Sequence, residues 1–162
     1  MPETRHDTPG IVVAPPLLGL GVLAVGRALD WLLPVALLDA LALGLRIVLG
    51  IALFAAGLAL IAAGGLAFKR AGTNVDPYRP ALKVADSGVF AHLRNPMYVG
   101  MGLALLGIAL GFALEWTLAL TVAASFVIHF GVVLREERYL EKKFGEEYRC
   151  YKARVPRYGW RF

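Results

Sequence analysis

Arg94, Glu136 and Glu137 are the side chains in this sequence best suited to chemistry. Arg94 stands in a polar hinge, Gly88 to Gly100, G-V-F-A-H-L-R-N-P-M-Y-V-G, which turns at once into an apolar run. The two glutamates belong to Arg135-Glu136-Glu137-Arg138, at the exit of the next apolar run. A guanidinium holds a carboxylate through two parallel hydrogen bonds, and a glutamate pairs with an ammonium or another cation. Tyr98 and Phe90 offer π faces to a positive centre. These groups suit a small zwitterionic ligand, which spacing alone does not identify. His129 precedes Glu136 by seven residues, nearly two turns, so an unbroken helix puts both on one face with His129 deeper. A plainer reading stands beside each: His129 as a neutral imidazole bonded across helices, Arg94 as a basic anchor, the glutamates as helix-end polarity. The single cysteine, Cys150, excludes an internal disulfide and a cysteine-based metal site, and no metal is expected.

The elements that must position these groups are apolar helices. The chain has 162 residues, of which 58% are hydrophobic, and its mean hydropathy is +0.62, too apolar for an ordinary soluble domain. Four runs, roughly 11–29, 47–68, 97–114 and 117–134, are each about long enough to cross a hydrocarbon core of roughly 30 Å. The expected fold is an all-α, polytopic membrane helix bundle of about four transmembrane helices plus a C-terminal amphipathic interfacial helix. It forms a single integral membrane domain over 1–162. The stretch from Trp31 to Leu43 is short and interrupted by Pro34 and Asp39, and reads as an interfacial piece or a helix extension. Pro15 and Pro16 break the first run early, which argues against a cleaved signal peptide.

The net charge of +5 is unevenly placed. Of 17 Lys and Arg, five lie between Lys69 and Arg94 and nine between Arg135 and Arg161. The positive-inside rule puts that loop and the C-terminal tail in the cytoplasm, and four crossings put the N-terminus there too. Topology and anionic lipid account for the basic balance, so nucleic acid is not an expected partner. The turn at 111–116 makes the last two runs antiparallel neighbours. Arg94 and the glutamate pair therefore reach one membrane face.

Turn signals at Gly72-Thr73-Asn74, Asp76-Pro77 and Asp86-Ser87-Gly88 predict a 69–95 loop that folds back on itself. Asn95-Pro96 predicts an N-cap and first helical residue. The small residues Ala55, Ala59 and Ala63, and Gly107 and Gly111, recur every four positions and predict close helix packing. Arg27 and Arg46 sit where they can snorkel to the outer interface. Past the last span, Leu140, Phe144, Tyr148 and Tyr151 mark the apolar face of the tail helix, with Gly145 kinking or ending its first part. Pro156 stops that helix, and Tyr158 and Trp160 anchor its end among headgroups.

The segments S-G-V-F-A-H-L-R-N-P-M-Y-V-G and, about forty residues on, R-E-E-R-Y-L-E-K-K-F-G-E-E-Y-R-C-Y resemble the isoprenylcysteine carboxyl methyltransferase and phospholipid methyltransferase superfamily. The resemblance covers roughly Ala67 to Trp160 and rests on the combination of the two. It implies a small polytopic membrane enzyme using S-adenosylmethionine, with 67–160 as the cofactor-binding catalytic core. The cofactor residues it implies are Gly88, His92, Arg94, Asn95, Pro96, Tyr98, Glu136 and Glu137. Arg94 would orient the cofactor carboxylate, and Glu136 or Glu137 its amino or hydroxyl groups. Asn95 stands where the isoprenylcysteine branch commonly has His, which leans toward the bacterial and phospholipid-type branches. An amine acceptor must lose a proton, and His129 or a glutamate is the candidate base beside Arg94 and Glu136. A carboxylate acceptor needs none.

The expected activity is methyl transfer from S-adenosylmethionine to a lipophilic acceptor, either a prenylcysteine-type carboxylate or a lipid amine. The expected location is a membrane, in a bacterium the inner one. Two other readings remain: an NADPH-dependent reductase of the steroid-reductase type, and a non-catalytic membrane scaffold. Oligomeric state is not legible.

Overall fold

The computed structural model describes residues 7–76 and 78–159, and among them there are helices and no strand. Trp160, expected as an anchor, and Pro77 lie outside the described residues. Helix α1 spans Pro15–Leu32, α2 Leu43–Ala71, α3 Pro96–Gly111 and α4 Glu115–Ile128. A wide π-type turn over His129–Val133 carries α4 without a break into α5, Leu134–Phe144, and α6 follows over Glu146–Arg154.

Two of these helices are long and apolar enough to cross a bilayer: α2, and the continuous Glu115–Phe144. At 1.5 Å per residue they run about 45 Å. The first exceeds its expected 47–68 and the second runs past its expected end, as foreseen. Helix α3 is apolar but has 16 residues, about 24 Å. Helix α1 carries Arg27 and Asp30 and ends two residues before Pro34, which cannot continue it.

The α2–α3 pair is antiparallel and packs backbone on backbone. A Cβ on Gly57 would lie 2.5 Å from the Gly100 carbonyl oxygen and 2.7 Å from the Ala104 nitrogen. One on Gly50 would meet the Gly107 oxygen at 2.8 Å, and one on Gly64 would meet the Met97 side chain. These glycines recur every seven residues, so they fall on one stripe. Gly107 and Gly111 pack as expected, but Ala55 and Ala59 are exposed, and the glycines replace that alanine stripe as the contact.

Helix α1 lies along α4 and is tied to it at both ends. At one end Gly26 abuts Thr117, while Asp30 accepts from the Trp116 N–H at 2.9 Å and the Thr117 hydroxyl at 3.3 Å. Arg46 pairs with Asp39 at 2.7 Å instead of reaching to water alone. At the other end the segment before α1 is strapped onto α4–α5. Val12 N–H donates to Gly131 O at 3.2 Å, and Arg135 Nη1 donates to Gly10 O at 2.9 Å. Asp7 pairs with Lys143 and accepts from the Tyr139 hydroxyl.

The tail breaks at Gly145 as expected, and departs from expectation in what covers its apolar face. Gly145, with φ 55° and ψ −122°, separates α5 from α6 in a conformation that suits a residue without Cβ. The apolar face of Leu140, Phe144, Tyr148 and Tyr151 does form, but it turns into the protein, packing with Val84 and Val155. Amphipathicity specifies a buried face without saying whether lipid or protein covers it, and here protein does.

Candidate functional site

The 72–95 loop folds back as its turn residues predict. Thr73 is buried, and its hydroxyl oxygen accepts from the N–H groups of Leu82 and Lys83 at 2.9 and 3.4 Å. Asn74 Nδ2 donates to Pro80 O at 2.8 Å, and Asp76 accepts the Tyr78 N–H at 2.9 Å. Gly88 takes φ +63°, a left-handed conformation that glycine adopts without steric cost. The short 3₁₀ turn it opens, Gly88–Ala91, drives Phe90 inward against Phe68, ring centroids 4.7 Å apart. Tyr151 fastens this turn by donating its hydroxyl to Phe90 O at 2.9 Å.

Beneath the loop lies a cavity of about 530 Å³. Its walls come from the start of α1 (Pro15, Pro16), the end of α2 (Phe68), the start of α3 (Met97, Met101) and α5 with α6. Most of that lining is apolar. One polar group lies where α3 begins and α5 passes, with Arg94, Asn95, Pro96, Tyr98, Glu136 and Glu137 all lining the cavity, and a second, with Thr73, Asn74, Asp76, Arg79 and Lys83, comes from the loop. The antiparallel α3–α4 hairpin thus brings together the two charged clusters the sequence singled out.

A pair and an adjoining three-residue cluster organise the polar end. Tyr98 donates its hydroxyl to Glu136 Oε1 at 2.6 Å. Glu137 lies between two guanidinium groups. Arg157 forks onto it, Nε to Oε1 and Nη2 to Oε2, both at 2.8 Å. Arg94 Nη1 sits 2.8 Å from Oε1, with side chains 9% and 7% exposed. That Arg94 contact is an ion pair without hydrogen-bond alignment. Nη1 and Nε of Arg94 are buried with no hydrogen-bond acceptor among the described residues. A buried donor without an aligned acceptor costs about 1–3 kcal/mol, a cost the ion pair with Glu137 offsets at Nη1. Beside it, burial first and the Glu137 charge second push the Tyr148 hydroxyl up to about 12, against the opposing Arg94 charge. Tyr148 is therefore a neutral phenol.

Three expected site residues stand apart. Gly88 and His92 are exposed and do not line the cavity, and Gly88 acts through the turn that places Phe90. His129 is not in the lining either. Its Nδ1 and the Tyr158 hydroxyl share a hydrogen bond of 2.7 Å. The π turn accounts for this, because its wider winding upsets the seven-residue register that would align His129 with Glu136. Asn95 occupies the N-cap position of α3 with Pro96 next, but makes no side-chain cap; its Nδ2 donates to Arg157 O at 3.2 Å.

Sequence reasoning did not single out Arg157, nor the Tyr139 hydroxyl, which accepts from Ala81 N–H and donates to Asp7. In a tail rich in basic residues, nothing in the order of side chains distinguishes Arg157 from its neighbours.

No curated protein and no solved structure matches the chain. A family model described as phospholipid methyltransferase does match it, over residues 45–147, from α2 through the two charged clusters into α6. The chain therefore belongs to the phospholipid methyltransferase family, in the superfamily of membrane methyltransferases that its hinge and double-glutamate segments resemble.

Proposed function

We propose that this protein methylates a lipophilic acceptor at a membrane surface, with S-adenosylmethionine as donor bound in the cavity under the 72–95 loop. The observation that carries this reading is the pairing of opposite charges in one apolar cavity. Arg94 and Glu136 both line it, the guanidinium paired with Glu137 but not forked onto it, and the carboxylate accepting from the Tyr98 hydroxyl. A ligand bearing both a carboxylate and an ammonium matches that pair. When bound, S-adenosylmethionine would supply an activated methyl group on a sulfonium. Arg94 holds the carboxylate, Glu136 the ammonium or a hydroxyl, and Tyr98 keeps Glu136 oriented through its hydroxyl. Asn95 and Pro96 shape the wall. Glu137 acts on Arg94 and not directly on the ligand. The apolar walls keep water away from the reacting groups, and alignment of donor and acceptor is the main demand of an in-line displacement.

The family match favours methyl transfer over the NADPH reductase and scaffold readings. For an amine acceptor, Glu136 is the candidate to take up a proton, because the other lining carboxylates, Asp76 and Glu137, are paired with arginines and His129 is engaged with Tyr158. The proposed topology has four crossings, α1 to α4, with both termini and the cavity on the cytoplasmic side of a bacterial inner membrane. Residues 1–162 form one domain whose catalytic core is 67–160.

The test is to incubate the membrane-inserted protein with labelled S-adenosylmethionine and a lipid extract, and to ask where the label goes. Label should enter the lipid fraction, and Arg94→Ala should weaken donor affinity at least about tenfold, the loss of one charged hydrogen-bonded contact, with insertion unchanged. Unaltered donor affinity in that variant would refute the assignment.

A further inference from the structure

The four residues after α6, Val155-Pro156-Arg157-Tyr158, lie beyond the stretch matched by the family model. Two consecutive members of this segment, Pro156 and Arg157, touch residues of the candidate site, and Tyr158 after them is held by His129 outside it. The Pro156 carbonyl accepts the Arg94 backbone N–H at 3.0 Å. The Arg157 carbonyl accepts from Asn95 Nδ2 at 3.2 Å. The Arg157 guanidinium forks onto both oxygens of Glu137, and the Tyr158 hydroxyl meets His129. Val155 is buried in the α5–α6 core and fixes where the segment starts.

We infer that Pro156–Tyr158 is a clasp that assembles the donor site, and that Arg157 is the positioning residue that sets its charge. This rests on the donor reading given above. Glu137 is a buried carboxylate, and such a group needs a partner. Arg157 takes the bidentate position, the strongest arrangement open to a guanidinium and a carboxylate. Arg94 is left at the side of Oε1, in ion-pair contact at 2.8 Å but not aligned, so its charge is not locked into a fork with Glu137. Two guanidinium groups and one carboxylate leave the cluster with one net positive charge. Without Arg157, Glu137 becomes the natural fork partner of Arg94. The cluster is then neutral, and the Arg94 charge is consumed inside the protein.

This gives a signature that a merely structural role for Arg157 does not share: removing the carboxylate should compensate for removing the arginine. The experiment titrates S-adenosylhomocysteine, a stable ligand with the same carboxylate and ammonium, into the purified, membrane-embedded full chain and its variants. Arg157→Gln should lose about 10- to 100-fold in affinity, the range for hydrogen bonds to charged groups. Glu137→Gln combined with Arg157→Gln should return to within about threefold of the parent, because Arg94 again carries the only charge. Arg157→Lys, which keeps the charge but cannot fork, should fall between the parent and Arg157→Gln.

Arg157→Gln binding as tightly as the parent overturns the inference. So does a double variant that binds no better than the single one; if the single variant does not fold, the double variant's affinity decides alone. Absence of binding by the parent chain overturns the donor reading itself, a different result from either.

Discussion

The Tyr98 hydroxyl sits 2.6 Å from Glu136 Oε1, joining the first turn of α3 to the helix that leaves α4. The two residues are 38 positions apart, and the α3–α4 hairpin brings them together at its open end. No other hydrogen bond to the Glu136 carboxylate appears among the described residues. Tyr98→Phe removes that bond and little else. Stability should fall by about 1–3 kcal/mol, the cost of a buried acceptor left unmatched, and S-adenosylhomocysteine affinity by about tenfold. Denaturant titration and ligand titration on the same sample check both. Undiminished affinity in Tyr98→Phe would detach Tyr98 from the donor site.

The glycine seam makes a sharper prediction for the fold. Gly57→Val puts side-chain atoms where Gly100 O and Ala104 N already stand. Backbone cannot move aside as the end of a flexible side chain can, so the helices must separate. The expected destabilisation is about 1–3 kcal/mol or more, read as lost yield of monodisperse protein. Gly65→Ala, whose added Cβ meets nothing within 4 Å, should behave as the parent. Equal yields of the two variants would count against the α2–α3 packing described here.

His129 and Tyr158 give a third. If their contact serves to seat the clasp, His129→Gln, which still offers a hydrogen-bonding side chain, should keep most of the methyl-transfer activity and the shape of its pH profile. His129→Ala should raise the rate of proteolytic cleavage near residues 155–158. Loss of the acidic limb of the pH–rate curve in His129→Gln alone would instead restore a proton-handling role to this residue.

Much of the site could be read from local rules. Asn95-Pro96 marks the start of α3 because proline tolerates only the first helical turn. A short turn after Gly111 forces α3 and α4 to be antiparallel, and that alone brings Arg94 to the glutamates. Other features were hidden for definite reasons. The π turn at 129–133 is a matter of helix winding that no residue there announces, so the bond of His129 to Tyr158, away from the cavity lining, was not legible. Gly50, Gly57 and Gly64 recur at seven rather than four, a period masked by the many other small residues of α2. The face of Leu140, Tyr148 and Tyr151 was apolar as expected, but pattern cannot name its cover. Arg157 reaches Glu137 only because α5 and α6 fold back at Gly145.

The glycine seam also decides which wall of the cavity can yield. Where two main chains touch without intervening side chains, no rotamer is available to swing aside, so α2 and α3 must travel together like one plank. Helix α1 is held differently: by side-chain packing along α4, by Gly26 and Asp30 far from the cavity, and by the bonds of residues 7–12 near it. On the proposed function, a lipid acceptor entering from the bilayer would find the α2–α3 wall fixed as a single unit.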